Sequence, residues 1–211
     1  MKDLLFNPNL FFSEKSKTEV SFKYPVLIVL VGSIISMGSG LLMINITKEL
    51  LPSNASSYAF IMNIGIVIWA LIATFGMWLI LTGVFYLISS VFHSEGSFWR
   101  TLEFVSYGFV PQLFSGIVGL FALYVVLPSL NTSSQNPQLF AESIKHVLAN
   151  NPLTLTSQIF AILCFLLSAN IWVFALVHAR NMSTKNAILT ICIPVGLSLV
   201  LQIYSLVGGL I

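Results

Sequence analysis

The stretch YAFIMNIGIVIWALIATFGMWLILTGVFYLISSVF, Tyr58 to Phe92, runs 35 residues without Asp, Glu, Lys or Arg, and the uncharged run around it extends from Leu50 to Ser94. A helix on the surface of a soluble domain keeps a polar face. This stretch has none, so lipid is the solvent that fits it. As one helix it would measure roughly 52 Å at 1.5 Å per residue, against a hydrocarbon core of about 30 Å. It is therefore either one long tilted span or two short ones folded back near Thr74-Phe75-Gly76 or Thr82-Gly83. That choice sets the topology of the whole chain.

Outward from it lie four further apolar runs, Tyr24 to Thr47, Phe104 to Leu127, Leu155 to Val177 and Ala187 to Leu210. Charged residues make up 8% of the 211 and mean hydropathy is +0.95, where a soluble domain carries about a quarter charged residues. With a single long second span, Lys2, Lys15, Lys17, Lys23, Arg100, Arg180 and Lys185 fall on one side and only Lys48 and Lys145 on the other. A hairpin would divide them almost evenly. Because Lys and Arg collect on the cytoplasmic side, the expected fold is an all-α integral membrane protein. Five transmembrane helices form one bundle, with the N-terminus cytoplasmic and the C-terminus outside. Residues 1–23 are then a cytoplasmic amphipathic segment and 24–211 the five-helix domain. The run after Tyr24 exceeds twenty residues and lacks a small-x-small cleavage site, so it reads as a retained first span rather than a cleaved signal.

Short interfacial helices are expected at both faces. In Gln138 to Asn150, residues Phe140, Ile144, Val147 and Leu148 form an apolar stripe with Glu142, Lys145 and His146 elsewhere on the wheel. Asn7-Pro8 has the form of a cap and first turn. Asn54-Ala55-Ser56 and Asn131-Thr132-Ser133 match the glycosylation pattern in loops assigned to the outside.

The chemistry-bearing patterns are few. A net charge of +2 argues against nucleic acid, which needs a basic stripe. Cys164 and Cys192 lie in apolar runs without metal or redox spacing. His93-Ser94-Glu95 lacks the paired cysteines of a zinc deaminase, and no nucleophile elbow or Walker sequence occurs. Every Asp, Glu, Lys and Arg falls in a loop or at a span boundary, whereas an intramembrane enzyme or ion-coupled carrier places ionisable groups inside the bilayer. No catalytic, cofactor-binding or metal-binding residue is assigned. An enzyme acting on lipid would require His178, Arg180 and Glu103 to meet in one pocket.

What remains concerns packing and polarity. Gly32, Ser36 and Gly40 repeat at i+4 and would admit a neighbouring backbone, from this chain or a second copy. Pro111 interrupts the third span one turn in, which predicts a kink flanked by Tyr107 and Gln112. Asn63, Gln112, Asn170 and Gln202 are uncharged polar groups at membrane depth; they either bridge helices or line a path for a solute.

Together these features resemble the Yip1 domain family of five-span membrane proteins. The likeness rests on Asn7-Pro8 with Phe11-Phe12 ahead of Tyr24-Pro25, and on Gly96-Ser97-Phe98-Trp99-Arg100 feeding Tyr107-Gly108-Phe109-Val110-Pro111. It continues in Trp172 followed by His178-Ala179-Arg180 and the turn Ser183 to Ala187. The resemblance implies a non-catalytic membrane protein; eukaryotic members act in vesicle trafficking and associate with Rab GTPases and with one another. This chain lacks their acidic D-L-Y-G-P element and long N-terminal region, so GTPase binding does not carry over. It is more similar to the short prokaryotic members, which implies a plasma membrane location. Two functional readings follow. One is a membrane-organising scaffold acting through helix contacts, with other membrane proteins or itself as partners, and through an inner face bearing Trp99, Arg100, His178, Arg180 and Lys185. The other is a small permease with an uncharged polar path.

Overall fold

In a computed structural model, described here for residues 2–47, 59–129 and 137–208, the chain is helical with five helices long and apolar enough to cross a membrane. Two short helices, α1 (Lys2–Phe6) and α2 (Pro8–Lys15), precede the first span, α3 (Lys23–Thr47). The second span is α4 (Ala59–Ser90). A short α5 (Phe98–Tyr107) leads into α6 (Val110–Val126), which ends in a 3₁₀ turn. Then come α7 (Pro137–Asn150), α8 (Pro152–Ala179) and α9 (Thr184–Gly208). Lys48 and the sequences at Asn54 and Asn131 lie outside the described residues.

The Tyr58 to Phe92 run is a single helix. Its suspected turn residues do not break it, because Thr74 Oγ1 and Thr82 Oγ1 bond back to Ala70 O (2.7 Å) and Trp78 O (2.8 Å) within the helix. A hydroxyl satisfied by its own previous turn has no need of a loop.

The third span differs from expectation. It begins at Val110 rather than Phe104, because the chain ends one helix at Tyr107 and starts another at Val110. Pro111 therefore stands in the first turn of α6, where its missing N–H is one the helix could not have paired, and the kink predicted there is a helix boundary. The helix expected over Gln138 to Asn150 is α7, with Ile144, Val147 and Leu148 partly buried and Glu142, Lys145 and His146 exposed.

The spans close into a ring. Helix α3 packs between α4 and α6, α6 against α8, α8 against α9, and α9 returns to α4. One apolar cluster joins Trp78 and Phe85 of α4 to Trp172 and Leu176 of α8 and Ile191 of α9. A second draws the N-terminus in: Leu4 and Phe12, fully buried, pack with Phe104, Tyr107, Ile171 and Ala175. Helices α1 and α2 are thus docked against α8 and hold one end of the bundle, hereafter the near end.

Small residues set the helix spacing. A Cβ on Gly32 would meet Leu113 and Thr74 at 3.5 Å, and one on Gly40 would meet Ile66 Cγ2 at 2.7 Å. The close neighbours of both are thus helices of the same chain, while Ser36 is exposed. Gly108 is tighter still, since a Cβ there would lie 2.0 Å from Trp172 Nε1. Detergent melting should rank the variants accordingly: Gly108→Ala is the most destabilising, by about 3 kcal/mol or more of overpacking, Gly40→Leu and Gly32→Leu less so. Gly76→Ala, which meets nothing within 4 Å, should hold or raise the melting temperature. Equal losses at Gly108 and Gly76 would defeat this ranking.

Candidate functional site

Helix α5 organises the near end. Ser97 caps it, accepting from Arg100 N at 3.2 Å, and every residue from Thr101 to Tyr107 is buried. Two indoles hold it from opposite spans, Trp78 Nε1 donating to Leu102 O and Trp172 Nε1 to Val105 O, each at 2.9 Å. Buried backbone carbonyls accept such extra bonds readily because each has two lone pairs.

Glu103, fully buried on this helix, is the anionic centre. Its carboxylate pairs with Lys15 Nζ at 3.2 Å and Arg100 Nη1 at 2.9 Å. Arg100 also donates to Lys15 O and Thr18 O, so the charge that stabilises Glu103 also fastens the N-terminal segment. Lys15 Nζ lies 5.7 Å from the centre of the Tyr107 ring. Burial, then the Glu103 carboxylate, then Tyr24 push the Tyr107 phenol above its ordinary range, because the phenolate would be poorly solvated beside an existing negative charge.

Arg180 forms a second, separate centre. It is 3% exposed and, among the described residues, has no carboxylate partner. Its guanidinium donates to Ser89 Oγ (3.0 Å), Ser90 Oγ (3.1 Å), Ser94 O (3.2 Å) and Gly96 O. It also stands 4.0 Å from the centre of the Tyr86 ring. The acceptors sit at and just beyond the C-terminus of α4, where the helix dipole favours a cation. Gly96 is required there: its φ is +134° and a Cβ would fall 2.2 Å from Ala179 O. His178 pairs elsewhere, its Nε2 lying 2.8 Å from Asn9 Oδ1.

Glu103, His178 and Arg180 thus occupy three different settings and form no common pocket. Among the described residues no cluster of three or more His, Cys, Asp or Glu could hold a metal ion. Of the predicted inner-face residues, Trp99 is 61% exposed and Lys185 is exposed, whereas Arg100, His178 and Arg180 are bound within the chain.

Of the four polar residues of the spans, Gln112 and Gln202 line one cavity together, and Asn63 and Asn170 do not join them. Two partly open cavities of about 310 and 350 Å³ lie between the helices of the ring, sharing Met77, Phe109 and Gln112 as a common wall. Gln202 borders the second and Ser36 the first. Gln112 Nε2 and Asn63 Oδ1 are buried without a hydrogen-bond partner among the described residues. Asn63 borders neither cavity, and Asn170 is exposed on the outside of α8.

Sequence reasoning did not single out Trp78, Ser89, Ser90 or Gly108 as functional. The available signal was the placement of Gly96 and Gly108 on either side of a segment carrying Arg100 and Glu103, since a glycine beside a buried charge often marks close backbone approach.

The chain matches the Yip1 domain over residues 2–206. It is 35% identical over 116 residues to an uncharacterized protein of Methanocaldococcus jannaschii, an alignment covering 55% of this chain and 82% of the archaeal one. No solved structure matches it.

Two tests address the near end. Arg180→Lys keeps the charge but cannot reach four acceptors on two sides; it should lower stability by about 2–3 kcal/mol, nearly as much as Arg180→Ala, measured by melting in detergent. For Tyr107, the folded state keeps a proton that the unfolded chain loses above about pH 10, so its contribution is intact below that pH and declines as pH rises beyond it. Tyr107→Phe should leave the melting temperature at pH 8 within a few degrees of the parent and flatten its fall above pH 10.

Proposed function

This chain belongs to the Yip1 domain family, and from that premise we propose that it is a non-catalytic membrane-organising scaffold of the short prokaryotic type. It acts through helix contacts and through the near end as a protein-binding face. The near end is cytoplasmic in this reading, following the bias of Lys and Arg, and the membrane is the plasma membrane of a prokaryote. GTPase binding is not part of the proposal.

The observation that carries it is how the near end uses its buried charges. Glu103 and Arg180 are tied to this chain's own side chains and carbonyls, so they fix a shape rather than await a substrate. A catalytic acid or base must reach the proton it transfers. What the rigid end presents outward is Trp99, an aromatic of the kind that anchors interfaces, with Lys17, Lys23 and Lys185 exposed as well.

One observation favours a second reading, a small permease. The two ring cavities flank Gln112, whose buried amide nitrogen has no hydrogen-bond partner among the described residues.

Crosslinking with mass spectrometry in the native membrane separates the two, comparing the parent with a Trp99→Ala, Lys185→Glu double variant. The scaffold reading expects reproducible protein partners that the variant loses. Partners retained by the variant, or no partners together with solute flux in liposomes that Gln112→Leu abolishes, would overturn it.

A further inference from the structure

On the outside of α8, Ile159, Leu163, Leu166 and Asn170 are all exposed. Their spacing of four, three and four places them along one line of the helix, a heptad seam in which Leu163 and Asn170 hold equivalent positions. Asn170 lies about 7 Å from the helix midpoint at 1.5 Å per residue, well inside a hydrocarbon core of about 30 Å. Among the described residues its amide has no hydrogen-bond partner. Thr156, on the same face, shows the usual remedy: its hydroxyl returns to Pro152 O at 2.7 Å. The Asn170 amide makes no such bond in this structure, and lipid tails offer it nothing.

We propose that this stripe of α8 is the contact surface for a second copy of this chain, with the two Asn170 amides bonded to each other. Chemistry and symmetry both select that partner. An amide carries donors and an acceptor, so it complements itself. Two copies inserted with the same topology are related by an axis along the membrane normal, which makes their α8 helices parallel. In a parallel two-fold contact each seam residue meets its own counterpart. The leucines pack above the pair, and the buried polar pair fixes the register, as a single Asn does at such a position in parallel dimers. The inference goes beyond the scaffold reading and does not depend on it, because a permease could dimerise through the same face.

Disulfide trapping in native membranes tests it. In a Cys192→Ala background, which removes the exposed native thiol, Leu163→Cys or Leu166→Cys should give a covalent dimer under mild oxidation. Ile80→Cys, on the exposed face of α4, should give little. Adding Asn170→Leu should cut the trapped dimer about fivefold, the weight of an interhelical amide bond in a membrane, whereas Asn170→Gln should retain it. The melting temperature of the monomer in detergent should not fall with Asn170→Leu, since the residue is exposed on the helix surface. Equal trapping at positions 163 and 80, an absent dimer, trapping indifferent to Asn170→Leu, or a monomer destabilised by that change would each overturn the proposal.

Discussion

The indole of Trp172 seated on Gly108 is the constraint on which the near end depends. No side chain fits between them: the position a Cβ would take is 2.0 Å from the ring nitrogen. That nitrogen donates to Val105 O, and Phe85, Phe109 and Phe165 surround the ring edge to face. The joint between α5 and α6 is therefore held against the C-terminal third of α8. From that joint α5 carries Glu103 to the near end of the bundle. Glu103 then draws Lys15 and Arg100, and through them the N-terminal segment closes over α5.

A buried charge weakens a fold unless its hydrogen bonds are complete, and the near end contains two. Glu103 is met by two cations, Arg100 through a hydrogen bond to Oε2 and Lys15 through an ion pair at Oε1, which has no hydrogen bond among the described residues. Among the described residues Arg180 is met by none of opposite charge; it relies on two serine hydroxyls, two carbonyls, the end of the α4 dipole and the face of Tyr86. Arginine suits that setting because its charge is delocalised and less strongly hydrated than an ammonium. The two centres brace different joints. Glu103 joins α5 to the N-terminus, and Arg180 joins the end of α8 to the end of α4, so the removal of either leaves the other without a counterpart that could take over.

The large features of the fold were legible because they depend on composition and on charge placement along the chain. One uncharged run of 35 residues and an uneven distribution of nine cations were enough to expect five long helices and an unbroken α4. The start of the third span was not legible. Phe104-Val105 and Val110 to Leu127 read as one apolar stretch, and Pro111 as a kink within it, because the cause of the break is a tryptophan 64 residues further on. The candidate site shows the same limit. His178, Arg180 and Arg100 could be picked out as charges near a boundary, but exposure depends on which turns fold over them, and only Trp99 and Lys185 remain outward. Asn170 was visible as a polar residue in a span; which side of the helix it occupies is a property of the ring.

The ring and its near end also differ in physical kind, and this bears on where function resides. The ring is held by apolar side chains with cavities on either side of Gln112, and dispersion contacts across such gaps are few. The near end is held by hydrogen bonds and ion pairs that specify angles as well as distances, so its shape is closely specified. A surface that must be recognised by another protein needs that constancy more than it needs chemistry. The arrangement of Glu103, Arg180 and the two indoles provides constancy at one end, while the exposed amide of Asn170 lies apart from it on the outer wall of the ring, where a contact with another helix leaves both cavities and the near end undisturbed.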